Sequence, residues 1–434
     1  MRAAVAERER VLTAFLEDTQ ERLAEACHAL ARELSRGGTL LVHGEGSAAS
    51  DAAHVTVELL HPVIVGKRAL PSVTLPDPGA LGTLARANDV VLVISHGAAG
   101  EPEARLLDEA RTRGLLTIAL TGAGAPAPAD FAFVVASDDP FVVQEVQETA
   151  YHVLWELVHV FFEHPGLLEE QCVTCGDVAV QARVVALSGA AATVERAGAR
   201  EEVAVELLGG DLSVGDTVLC HAGVALERVA EDPSAFLYPF LEASEDSLET
   251  VLADVRASTL AKGRDTTALR AALDLDALAG CADAVRARLT AGGRLLAFGN
   301  GGSATDAQDV AYDARARGWP ALALTDDPAT VTAVANDVGF ENSFARQIIA
   351  LGGPADVALA ISTSGSSPNV VAGLEEAQRR GMLTVALLGY DGGRAAAIPG
   401  LGHVIVVRGD YIPRLQEAQG TALHLLLDAV RFRA

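Results

Sequence analysis

The chain reads as an α/β protein: two three-layer α/β domains with parallel sheets, separated by a small antiparallel β-barrel. Three observations point there. Strands alternate with helical stretches in residues 1–168, the same order of elements returns in 276–434, and between them runs a series of short alternating strands punctuated by glycine. At 434 residues the chain is also longer than one hydrophobic core normally serves. The expected division is 1–168, a barrel at 169–230, an acidic connector with one helix at 231–275, and 276–434.

In the first domain an amphipathic helix over 5–34 leads into RGGTLLVHG, a short apolar strand ending in a glycine turn. A helix at 48–61, strands at 71–75 and 89–95, a helix at 101–113, a strand at 115–122 and a long helix at 139–162 follow. The second domain opens with a helix at 276–290, a strand at 292–299 and a helix at 303–317. Strands at 321–325 and 356–362, a helix at 369–380, strands at 382–389 and 403–407 and a closing helix at 413–432 complete it. Strands joined through helices pair in parallel and are covered on both faces. The middle stretch, with VAVQARVVALSG, AATVERAG and DTVLCHAGVALERV, alternates at period two and has no helix long enough to cross a sheet.

Composition narrows the function. Half the residues are hydrophobic but only 4% are aromatic, and the formal net charge is -25. Such a field repels nucleic acid and acidic membrane surfaces, so neither is an expected partner. Lys67 and Lys262 are the only lysines, so an anion site here must rely on backbone N–H groups and hydroxyls. Five cysteines, odd in number and sparse, fit a reducing compartment. The first residues lack the apolar run of a signal peptide and no stretch of 18 apolar residues occurs, so a cytoplasmic location is expected.

Two loops carry the chemistry. GNGGSATDAQD starts at Gly299, between a strand and a helix, where glycines let the chain turn sharply and the first helical N–H groups face outward. ISTSGSSPN, residues 361–369, occupies the same kind of position and sets five hydroxyls around Gly365. Core packing has no use for that composition, whereas an uncharged phosphate cradle does. Candidate ligand contacts are Asn300, Gly301 and Ser303 from the first loop and Ser362, Thr363, Ser364 and Ser367 from the second. Simple helix capping is the alternative. No GxGxxG followed by a ribose-binding acid is present, which disfavours a dinucleotide.

With LTDDPATVTAVANDVGFENSFARQI, LLGYDGG and RLQEAQGTALH added, residues 276–434 resemble the phosphoheptose isomerase branch of the sugar isomerase (SIS) family. The resemblance implies an SIS-type domain that binds a phosphorylated sugar, exchanges aldose and ketose through an enediol without a redox cofactor, and forms a homo-oligomer. Carried over residue by residue, Gln416 is a ligand contact, Asp313 stands at the glutamate base and His424 at the histidine. Asp309 replaces a further histidine.

The first domain shows the opposite pattern of loss. HGEGSAASDAAHVTVELL and QEVQETAYH align with the second copy's helices, so Glu58 and His54 pair with Asp313 and Asp309, and Gln144 and His152 with Gln416 and His424. This copy keeps the family's glutamate and both histidines. Its loops depart, with Glu45 opposite Asn300 and SHGAAG opposite STSGSS, and it lacks the counterpart of DDPATVTAVAND. Catalytic candidates are therefore Asp313, His424, Glu58 and His152. Either the two copies share a composite site, or the first is a structural partner.

CVTCGDVAVQARVV and the strands after it resemble the hydrogenase-assembly chaperone family HypC/HupF. The resemblance implies hydrogenase maturation proteins as partners and an iron fragment or divalent metal at Cys172, with Cys175 as an extra thiol. Otherwise the two are small residues at a domain entrance. Two functions stay open: aldose-ketose isomerisation of the sedoheptulose 7-phosphate type coupled to a maturation-like module, and a non-enzymatic metallocentre assembly or regulatory protein that senses a phosphorylated sugar.

Overall fold

The computed structural model describes residues 1–63, 66–168, 180–189, 191–196, 199–205, 208, 212–221, 224–229 and 247–430. Cys172 and Cys175 lie outside them. The chain divides into two compact units: Met1–His61 with Leu70–Val160 and Val255–Ala434, and Pro62–Ala69 with Phe161–Asp254.

The first unit contains two parallel sheets. In its N-terminal half, helix α1 (Arg2–Ser35) precedes β1 (Leu40–Gly44), α2 (Ala48–Leu60), β2 (Ser72–Thr74), a short α3 (Leu81–Leu84) and β3 (Val90–Ile94). There follow α4 (Glu101–Thr112), β4 (Leu116–Thr121), β5 (Phe131–Val134) and α5 (Pro140–Glu163). The sheet order is β2-β1-β3-β4-β5. β5 is absent from the sequence-based expectation, since four residues behind a Gly/Pro-rich turn are too short to show a period.

The C-terminal half uses α6 (Leu248–Ala271), α7 (Leu275–Thr290), β11 (Leu295–Phe298), α8 (Gly302–Ala316), β12 (Ala321–Ala323), α9 (Pro328–Val338) and α10 (Ser343–Leu351). Then come β13 (Val357–Ser362), α11 (Pro368–Arg379), β14 (Leu383–Leu388), a short α12 (Gly393–Ala396), β15 (His403–Val406) and α13 (Ile412–Val430). Strand order β12-β11-β13-β14-β15 repeats that of the first sheet. Helix α9 is the segment that the N-terminal half lacks.

Alternation explains the layers. Leu295, Ala297, Leu359 and Ile361 pack against α7, α8 and α13, while Leu296, Phe298, Ala358 and Ala360 pack against α10 and α11. A strand buried on both faces must be apolar at every position, which is why these strands read as unbroken runs of Val, Leu, Ile and Ala. Each buried leucine or isoleucine contributes roughly 1.5–3 kcal/mol.

The second unit holds β6 (Val180–Ser188), β7 (Ala191–Arg196), β8 (Ala199–Ala204), β9 (Thr217–His221) and β10 (Val224–Val229), closed in the order β10-β8-β7-β6-β9. All pairings are antiparallel except the closing one, where Val224 meets Ala204 in parallel. Ala182, Val184, Ala192, Val194, Val218 and Cys220 fill the interior. Cys220 is thus a core residue of the barrel. Among the described residues no helix is long and apolar enough to cross a membrane.

Candidate functional site

Helices α5 and α13 carry one pattern, Gln-Glu-x-Gln-x-Thr-x-x-His, at 144–152 and 416–424. Glu, Thr and His at i, i+4 and i+7 share a helix face, and the two faces meet. His152 Nδ1 lies 2.8 Å from Glu417 Oε1, and His424 Nδ1 lies 2.8 Å from Glu145 Oε1. Thr149 donates to Glu417 and Thr421 to Glu145. Arg8 and Arg270 complete the shell of Glu145; Arg414 and Thr266 complete that of Glu417.

Burial alone would raise both carboxyls. The hydrogen bond with His424 and the two arginines instead bring Glu145 down to about 2, and Arg414 with His152 brings Glu417 to about 2. Burial likewise opposes a charged His424, but its bonds to Asp309 and Glu145 hold it at about 10. His152 moves the other way: burial outweighs Glu417 and favours the neutral ring.

Helices α2 and α8 meet over the same region. His54 Nε2 stands 3.3 Å from the Gln416 amide nitrogen, 3.5 Å from His152 Nε2 and 3.7 Å from Glu58 Oε1. It also sits directly over the start of α8: a Cβ on Gly302 would overlap the Gln416 side chain and come within 2.8 Å of His54 Nε2. Burial works against the charged form of His54, but Glu58, Asp306 and Asp51 raise its pKa overall. Glu58 is buried, and its Oε2 has no hydrogen-bond partner.

The counterpart cluster is Asp309, Asp313 and His424. Asp309 accepts from Ser50 at 3.3 Å and lies 3.5 Å from His424 Nε2. Asp313, one turn on, is buried rather than part of an exposed acidic face, and burial with the nearby Asp309 raises it to about 6. Of the four catalytic candidates, Glu58 and His152 thus gather around His54, and Asp313 and His424 around Asp309.

The two glycine- and serine-rich loops each lie between a strand and a helix N-terminus. Gly301 has φ +57° and precedes the first residue of α8, and Gly365 has φ +60° with no room for a Cβ against Gly392. Asn300 and Asn369 exchange side-chain amide bonds of 2.8 and 2.9 Å, tying the loops together. Ser362 Oγ accepts from the Gly365 N–H and Ser364 Oγ from the Ser366 N–H, so part of the hydroxyl set shapes the loop itself. Ser303 and Gln416 are buried, Thr363 and Ser367 half-buried, and Gly301 and Ser364 exposed.

In the N-terminal half His96 stands at the sequence position of Thr363. Its Nδ1 bonds Ser47 Oγ at 2.8 Å and its Nε2 bonds Asp51 Oδ2 at 2.9 Å. Glu45 is turned outward, with its side chain 56% exposed, so it does not fill the loop. Sequence reasoning overlooked His96, Asp51, Glu145, Glu148, Asp306 and Glu417. Glu145 and Glu417 had a signal, standing at the same place in a repeated motif; Glu148 had only a mismatch, since its counterpart is Gly420. Among the described residues, two clusters have metal-ligating side chains in mutual reach, His54–Glu148–Asp306 and Asp309–Asp313–His424.

A parallel sheet with glycine- and serine-rich loops feeding helix N-termini defines an SIS-type domain, and the SIS domain model matches residues 264–389. A separate HupF/HypC family match covers 178–235. Phosphoheptose isomerase of Solidesulfovibrio magneticus is 38% identical over 193 residues, 43% of this chain and 91% of the relative. That of Desulfovibrio desulfuricans is 48% identical over 149 residues, 33% of this chain and 70% of the relative. The chain belongs to the phosphoheptose isomerase family. The C-terminal domain of glucosamine-fructose-6-phosphate aminotransferase from Francisella tularensis matches 98% of this chain and 93% of its own, with a TM-score of 0.57 and 10% identity, a likeness of fold alone.

Proposed function

We propose that the chain is a sugar-phosphate isomerase of the sedoheptulose 7-phosphate type with one composite site, built across tandem SIS domains that flank the HupF/HypC-like module. The observation that carries this reading is His54, contributed by the N-terminal half, standing over Gly302 and Gln416 of the C-terminal half. Each half has lost something, and the retained parts converge. Intact loops and Gln416 come from one; His54, Glu58 and His152 come from the other.

In this reading Asn300, Gly301, Ser303, Ser362, Thr363, Ser364 and Ser367 hold the phosphorylated sugar. Glu58, buried and with a free oxygen, takes the proton from C1 and returns it to C2 of the enediol. His54 and His152 pass a proton between O1 and O2, so electrons stay within the sugar and no redox cofactor takes part. Asp313 and His424 form the counterpart cluster, opposite a loop whose hydroxyls are gone.

The test is conversion of sedoheptulose 7-phosphate to the aldoheptose phosphate. E58Q is expected to lose at least 100-fold in kcat and D313N less than tenfold. Loss confined to D313N would place the chemistry in the other cluster.

The HupF/HypC match favours a second reading, in which the module engages hydrogenase maturation proteins through Cys172 and Cys175, and the SIS domains sense the phosphorylated sugar. Saturable sugar-phosphate binding with no turnover supports it. Under either reading we expect domains at 1–168, 169–230, 231–275 and 276–434, and a homo-oligomer of two chains in the cytoplasm.

A further inference from the structure

A serine at a helix N-cap normally spends its hydroxyl on an N–H of the first turn, but Ser47, the N-cap of α2, makes no capping bond. Its Oγ stands instead 2.8 Å from His96 Nδ1, and His96 Nε2 lies 2.9 Å from Asp51 Oδ2. Asp51 comes from the first turn of α2, and His96 reaches both from the loop after β3. In the C-terminal half the same three positions hold Gly302, Asp306 and Thr363, so only the carboxylate is common to both halves.

This chain of bonds fixes the proton on one ring nitrogen. The Asp51 carboxylate accepts from His96 Nε2, which leaves Nδ1 to accept the Ser47 hydroxyl. Asp51 is itself held in place, since Oδ2 also accepts from Gln144 Nε2 at 3.1 Å and Oδ1 from the Tyr151 hydroxyl at 3.1 Å. The three residues thus supply a nucleophile, a base and a group that orients the base. The ring nitrogens exchange the roles they have in chymotrypsin-like triads; either order works, because neutral imidazole has one donor and one acceptor. Ser47 and His96 are half-buried, and Glu45, Gly46, Gly97 and Ala98 beside them are exposed, so this end of the triad opens to solvent.

We propose that Ser47, His96 and Asp51 form a hydrolytic triad that cleaves carboxylic esters carrying a short, uncharged acyl group. Ser47 Oγ attacks the ester carbonyl carbon while His96 Nδ1 takes its proton; the bond to the alcohol oxygen then breaks, and that proton leaves with the alcohol. Water attacks the acyl-serine, gives its proton through His96 to Ser47 Oγ, and the carboxylic acid departs. The carbonyl oxygen needs a donor as it becomes negative, and Tyr312 brings a hydroxyl to 2.9 Å from where a Cβ on Gly46 would lie, next to Ser47. Small neighbours at 46, 97 and 98 admit a short acyl group, and the Glu45 carboxylate disfavours an anionic one. The activity is separate from the isomerase reading, because none of the three residues belongs to the sugar-phosphate loops or to the proton-transfer set.

The experiment treats the full-length protein with an alkyl fluorophosphonate, which loses fluoride to an activated serine, and locates the label by peptide mass; hydrolysis of p-nitrophenyl acetate is followed in parallel. One label per chain is expected, on Ser47, and none on heat-denatured protein. S47A, which removes one half-buried oxygen and should fold, is expected to lose both the label and the ester hydrolysis. H96Q is expected to slow labelling at least about 100-fold, with a urea midpoint measured alongside to show that it is folded. An unlabelled wild type overturns the proposal, as does a label on another residue or labelling of folded H96Q at the wild-type rate. Labelling without ester turnover above the level of S47A overturns it too. Neither readout uses a sugar phosphate, so a protein that fails to isomerise but labels at Ser47 would refute the isomerase reading and leave the triad standing.

Discussion

Replacing Glu145 with glutamine keeps the shape of the side chain and removes its charge. In the folded protein that charge is surrounded: Arg8 Nε at 2.7 Å, His424 Nδ1 at 2.8 Å, Arg270 at 3.6 Å and the Thr421 hydroxyl. Although burial opposes it, this shell lowers the carboxyl from 4.5 to about 2. A shift of that size corresponds to roughly 3 kcal/mol at 1.36 kcal/mol per unit. The upward shift of His424 contains part of the same interaction and is not added. Breaking a buried pair typically costs about 3–5 kcal/mol, in agreement. E145Q should therefore lower unfolding stability at pH 7 by about 3–5 kcal/mol. Urea titration followed by the fluorescence of the buried Trp155 and Trp319 measures this. A change below about 1 kcal/mol, the scale of an exposed ion pair, would refute the idea that the reciprocal Glu–His contacts hold α5 to α13.

The same groups set the pH limits. Glu145 and Glu417 have lowered pKa values near 2, so their stabilisation is complete above about 4.5 and is lost as pH falls toward 2; acid unfolding of E145Q should be correspondingly shallower. His424 is raised to about 10, so its contribution is complete below 6.5 and is lost as pH rises toward 10; urea midpoints measured across that window should flatten in H424N. Gly302→Ala would push a methyl group into Gln416 and crowd His54. It should reduce kcat/KM for the sugar phosphate at least tenfold, while the unfolding free energy falls by no more than about 1–3 kcal/mol, the usual cost of one extra buried methyl group.

Periodicity made the two sheets and the barrel legible, because strands buried on both faces cannot hide their apolar runs. The two glycine- and serine-rich loops were legible for a related reason: glycines and serines between a strand and a helix have few packing roles. The pairing across helices was not. Spacing shows that Glu145, Thr149 and His152 share a face of α5, but not that this face meets α13, so the bond from His152 to Glu417 had no sequence signature. Glu148 and Asp306 were illegible too. An acid on an amphipathic helix normally faces water, and only the packing of α2, α5 and α8 shows that these two do not.

The contact between α5 and α13 joins segments of a single polypeptide, about 270 residues apart. Between separate chains, such a contact would weaken on dilution and would have to be remade after every dissociation. Here the effective concentration of one helix face for the other is fixed by the covalent connection. The charge pairs of Glu145 and Glu417 are therefore expected to persist at any protein concentration, whatever the number of chains in the assembly. Dilution would separate whole chains without opening the seam that carries the buried histidines.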